Sequence, residues 1–128
     1  MTNELRPGTA LVTVIGREFA AVDAVDERLT DAFPYAGPMR DSITEEGICR
    51  TLLLQISGPV NEQPKQALPP APPVDVTHLD EDQAKVHIAA TSEDDALAAM
   101  GIISSGLTLV GEPIFGTSGE VAFTVASS

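Results

Sequence analysis

A strand followed by a helix and then by more strand occurs twice in this chain, and that repetition constrains the fold more than any other feature. The clearer copy runs from Lys85 to Ala126. Val86, Ile88 and Ala90 alternate with Lys85, His87 and Ala89, the period of a strand with one apolar face and one partly wet face. Ser92-Glu93-Asp94-Asp95 comes next. A serine N-cap with a carboxylate three positions on forms a capping box, and three acids in the first turn complement the positive end of the helix dipole, so a helix is predicted from Ser92 to Ser105. Ala96, Leu97, Met100 and Ile103 supply its expected buried stripe, and Gly106 its stop. Gly101 inside the helix costs about 1 kcal/mol relative to alanine, which points to close packing on a sheet or to a frayed end. Leu107 to Val110 then reads as strand and Gly111-Glu112-Pro113 as a bend. Gly116 to Gly119 turns the chain into a closing strand, Glu120 to Ala126, with Val121, Phe123 and Val125 inward.

The first copy is looser. Thr9 to Ile15 is a short, β-branched, nearly continuous apolar run ending at Gly16, as expected of a strand central in its sheet or covered on both faces. Phe19, Val22, Val25, Leu29 and Phe33 recur at three- and four-residue intervals between acidic and basic positions, predicting an amphipathic helix that Pro34 ends. Residues 34 to 47 suit either an ordered surface loop or a short edge strand around Met39 to Ile43. Ile48 to Ser57 restores strand character, with Leu52, Leu54 and Ile56 on one face and Thr51, Leu53 and Gln55 on the other.

Between the copies lies the most biased segment, 59 to 76, which carries Pro64, Pro69, Pro70, Pro72 and Pro73. Proline fixes φ and favours an extended path of about 3.1 Å per residue. The segment reads as a solvated linker or as an arm, centred on Leu68, Pro69 and Pro70, that lies on a neighbouring subunit or partner.

A chain of 128 residues, 43% of them hydrophobic, has material for one core, so residues 1 to 128 are expected to form a single α+β domain. Writing strand-helix-strand twice, joined through a strand pair, suggests a ferredoxin-like, split βαβ sandwich. Its sheet would be mostly antiparallel with two helices on one face, the proline-rich insertion between the central strands and an extra C-terminal hairpin strand. Helices on one face leave the other needing cover, and oligomerisation commonly provides it. Leu53, His87 and either the Val12/Val14 or the Leu11/Ile15 set are the residues expected on that open face.

Three resemblances restate this order of elements. Thr9 to Leu29 followed by Lys85 to Leu107 resembles the two halves of an ACT-type regulatory domain. Lys85 to Val125, preceded by a long insertion, is similar to the C-terminal half of PII-like signalling proteins. Leu109-Val110-Gly111 with Gly116 and Gly119 resembles the strand-turn-strand of bacterial microcompartment shell proteins. The chain departs from each: no glycine-rich ligand loop follows Gly16, the basic nucleotide-gripping residues of PII proteins are absent, and Ser104-Ser105 stand where a shell-edge lysine belongs. No family is assigned.

The chemistry follows from charge and inventory. Nineteen acidic against seven basic residues give a formal charge of −12, opposite to what phosphate contacts with nucleic acid require. No apolar run reaches about 18 residues and the N-terminus lacks a signal-peptide pattern, so a cytoplasmic protein, or a component of a particle assembled inside the cell, is expected with no membrane partner. Cys49 opens an apolar strand and reads as a buried hydrophobe, and one thiol with two histidines gives no zinc-ligand spacing. His78, His87 and the scattered acids assemble no catalytic or metal constellation in sequence, so no catalytic residue, metal or cofactor is expected. Gly16 and Arg17, at the start of the first helix, are the one place where free N–H groups and a guanidinium can meet an anion. The expectation is a non-enzymatic subunit of a homo-oligomeric ring, shell or virion-type assembly, acting through its open sheet face and proline-rich arm. The alternative is a small-molecule-sensing regulatory module resembling ACT or PII-like domains.

Overall fold

The computed structural model describes residues 8–36, 39–57, 74, 76–116 and 119–126. Its elements are β1 (Thr9–Gly16), α1 (Phe19–Ala32), β2 (Arg40–Ile43), β3 (Ile48–Gln55), β4 (Gln83–Ala90), α2 (Glu93–Ser104), β5 (Thr108–Phe115) and β6 (Glu120–Ala126). All strands belong to one open sheet in the order β2-β3-β1-β4-β6-β5, and every neighbouring pair is antiparallel. The α+β class matches expectation, and of the two alternatives left open for residues 34 to 47 the structure shows the short edge strand, β2. The ferredoxin-like arrangement does not match: it needs the order βαββαβ, whereas here βαββ is written twice and, among the described residues, no helix stands between β3 and β4.

The strand order is the same read from either edge. In each half the first strand lies at the centre, the strand after the helix at the edge, and the last strand between them. Thr13 and His87, each the fifth residue of its eight-residue strand, face one another across the β1–β4 seam. A pseudo-two-fold axis passes between them. The turns match as well, since Gly47 abuts the carbonyl of Gly16 at the end of β1 and Gly119 abuts the carbonyl of Ala90 at the end of β4.

One face of the sheet carries both helices. Val12 and Val14 of β1, Leu52 and Leu54 of β3, Val86 and Ile88 of β4, and Val121, Phe123 and Val125 of β6 pack there under Val22, Val25 and Leu29 of α1 and Ala96, Ala99 and Ile103 of α2. At roughly 25 cal/mol per Å² of apolar area removed from water, this layer is the main source of stability. Arg28 crosses between the helices, its guanidinium reaching the carbonyl of Ile102 and, at 2.5 Å, the hydroxyl of Ser105.

The helices are rotated slightly from their expected stripes. Phe19 is 48% exposed and Leu97 41%, with Ala21 and Ala99 buried in their stead. Both fit the same 3.6-residue period, and small residues let the helices approach the sheet closely. Ser92 caps α2 as expected, accepting a hydrogen bond from the Asp95 amide at 3.2 Å. The side chain of Asp95 in turn accepts from the Ser57 hydroxyl at 3.1 Å. Gly101 faces open space, so close packing on the sheet is not the reason for it. The bend expected at 111 to 113 is a bulge inside a continuous β5, where Gly111 takes φ 76° and the register against β6 shifts between Val110 and Ile114.

Candidate interaction surface

The face of the sheet opposite the helices has two unlike parts. On the β1–β3 part, Thr9, Thr13, Cys49, Thr51 and Leu53 are all buried. Leu53, expected on an open face, lies on the helix-free face but is 1% exposed, whereas Leu11 and Ile15 of the same face are half-buried. β3 buries seven of its eight residues, which its unbroken run Leu52-Leu53-Leu54 reflects. Burial pushes the Cys49 thiol above its ordinary pKa, which withholds the thiolate that reactive chemistry needs.

On the β4–β6–β5 part the same face is open. Lys85, His87 and Glu120 are exposed, and Ala89, Ala122 and Thr124 are half-buried. The register sets His87 beside Ala122 and Ala122 beside Ile114, so one row runs across the sheet from Thr13 through His87 and Ala122 to Ile114. Ile114 is 72% exposed, and Val110, one strand position away on the same face, is 38%. A shallow groove of about 160 Å³ follows the row, lined by His87, Ile114, Gly116, Glu120, Val121 and Ala122. Its chemistry is a small apolar floor with a ring nitrogen at one end and a carboxylate at its rim.

The two outer strands are poor templates for strand addition. β2 has only four residues, and β5 carries the Gly111 bulge, Glu112 and Pro113, which has no N–H to donate.

Gly16 and Arg17 occupy the β1–α1 turn as expected. Gly16 is buried, and the Arg17 guanidinium donates to the Leu79 carbonyl at 2.5 Å. Arg17 lines an open groove of about 450 Å³ with Thr77, His78, Leu79, Asp80 and Glu81. Two carboxylates at that rim oppose an anionic ligand. Leu68, Pro69 and Pro70 lie outside the described residues.

Sequence reasoning missed one constellation. Arg50 is 7% exposed on the helix side of β3, with Asp41 of β2 at 2.8 Å, Asp23 of α1 at 2.6 Å and Asp26 of α1 at 3.1 Å. The carboxylate hydrogen bonds hold Arg50 more firmly charged than usual. Asp26 behaves oppositely, since burial raises its pKa despite the neighbouring guanidinium. The signal was an arginine of the same parity as Leu52 and Leu54, a position that burial permits only with acidic partners. Among the described residues no group of three His, Cys, Asp or Glu side chains is placed to hold a metal ion. Among the described residues no helix is long and apolar enough to cross a membrane. The chain matches no protein-family model, no curated protein and no solved structure.

Proposed function

We propose that the chain is a non-enzymatic subunit of a cytoplasmic homo-oligomeric assembly and acts by protein–protein contact through the open face of β4, β6 and β5. The observation that carries this reading is the exposed row from His87 to Ile114, on a face whose β1–β3 part buries Thr13, Cys49, Thr51 and Leu53 and leaves Leu11 and Ile15 half-buried. Exposed apolar side chains grouped on a flat surface with small neighbours are the usual composition of a contact patch. The small-molecule-sensing alternative has less support, because Arg17 is engaged by Leu79 and its groove is bordered by Asp80 and Glu81. The test is mass in solution by light scattering across a wide concentration range. A multiple of 13.4 kDa is expected, and a mass of 13.4 kDa at every concentration overturns the proposal.

A further inference from the structure

The geometry points to a second copy of this chain as the occupant of the open face, packed sheet to sheet about a two-fold axis that runs along the row His87–Ala122–Ile114. The inference rests on the assembly reading above and names its contact.

Charge selects the face. In a chain of net charge −12, most approaches between two copies are repulsive. The acids crowd the helices and turns: Glu18, Asp23, Asp26, Glu27 and Asp31 in and before α1, and Glu93, Asp94 and Asp95 in α2. On the open face, the aligned positions of β4 and β6 carry one lysine and one glutamate, Lys85 and Glu120. With the exposed Glu112 of β5 added, the face still carries few charges, so two copies repel less along it than along the acid-rich helices.

Register then makes the patch self-complementary. Lys85 lies two residues before His87 on β4, and Glu120 two residues before Ala122 on the antiparallel neighbour β6. The two charges therefore stand at opposite ends of the patch, on either side of the His87–Ala122 pair. A two-fold axis lying in the contact plane along the row reverses the strand direction of the second copy. Lys85 of each copy then lies over Ala89 of the other, one strand spacing of about 4.8 Å from that copy's Glu120 and within reach of it, and Ile114 meets its counterpart beside the axis. Sheets packed this way keep their strands within about 30° of alignment and stand about 10 Å apart, a spacing that the alanines at 89 and 122 accommodate. No edge strand is used, in keeping with the short β2 and the bulged β5.

The experiment is a charge-exchange series on the full chain, read by sedimentation or light scattering over a dilution range. Lys85→Glu and Glu120→Lys are each expected to weaken self-association at least about tenfold, and the double exchange to restore it to within about threefold of the parent. Ile114→Asp is expected to leave a monomer whose circular dichroism and melting are unchanged, since the side chain is 72% exposed. An oligomer that withstands all four variants overturns this geometry and leaves the assembly reading standing. A parent chain that is monomeric at every concentration overturns both. Single exchanges that weaken association without rescue in the double variant overturn the Lys85–Glu120 pairing and with it the axis.

Discussion

The two halves of this molecule share a plan and differ in what holds it. Where β3 faces α1, the N-terminal half places Arg50 among Asp23, Asp26 and Asp41. By register, the corresponding position of the C-terminal half is Val121, an ordinary core residue. On the opposite face the contrast reverses: the N-terminal half buries Thr51 and Leu53, and their counterparts Ala122 and Thr124 remain partly open. The difference teaches that a pseudo-symmetric backbone does not impose symmetric chemistry. Each half keeps the alternation that the sheet requires and spends its polar residues where its own cover allows.

The contrast can be attacked at five points. Arg50→Ala should be the most damaging, costing about 3–5 kcal/mol in denaturant unfolding, because it leaves three neighbouring carboxylates without their cation. Val121→Ala at the matching position should cost far less, and equal losses would show that the ion cluster contributes nothing special. Leu53→Ala should cost about 2–4 kcal/mol as a cavity substitution, whereas Thr124→Ala should stay within about 0.5 kcal/mol. Were the two to behave alike, the inequality of the two faces would be refuted. Gly119 takes φ 87° with the Ala90 carbonyl against it, so Gly119→Ala should lower the melting point by an amount worth about 1–3 kcal/mol. Ser92→Ala should remove the α2 cap at about 1 kcal/mol, a loss with no counterpart at Glu18, which caps α1 without a side-chain bond.

The smallest effect is a pH dependence. The folded pKa of Asp26 is raised, so between its unfolded and folded values the native state binds more protons than the unfolded state. Stability from this group therefore falls as pH rises through that window just above the ordinary aspartate range. Asp26→Asn should flatten that slope and be close to neutral at pH 7, with Asp23 and Asp41 still on Arg50. A steeper slope in the variant would reverse the sign assigned here.

Much of this was legible in the chain itself. The Ser92 cap, the alternation of Lys85 to Ala90 and the continuous apolar runs of β1 and β3 are local signals, and local signals survive folding. Strand order was not legible, because alternation fixes which face a residue takes and says nothing about which strand lies beside it. The ferredoxin-like expectation failed for that reason: both arrangements are built from the same strand and helix periods. The rotation of α2 that exposes Leu97 was likewise beyond reach, since Ala99 and Leu97 fit one helical period equally well until a sheet chooses. Arg50 was readable in part: its parity demanded acidic partners, but those partners come from α1 and β2, far apart in the chain. His87 and Leu53 both lie on the face opposite the helices, as read, but Leu53 is covered there, because burial of a strand's second face depends on the rest of the chain.

The seam between β1 and β4 bears on how the molecule assembles. Each β-α-β-β half closes its own hairpin, β2 with β3 and β5 with β6, over turns of four residues. The seam instead joins Thr13 to His87, so its closure waits on the whole first half and on the connection from 56 to 82. Contacts of such long sequence separation are slow to form. The halves are thus kinetic units before they are a single sheet, and the step at which β1 meets β4 sets the pace of folding. Shortening the 56-to-82 connection should speed folding and raise stability by the same small amount, with little change in the unfolding rate, because loop-closure entropy grows only slowly with length and is lost before the seam forms.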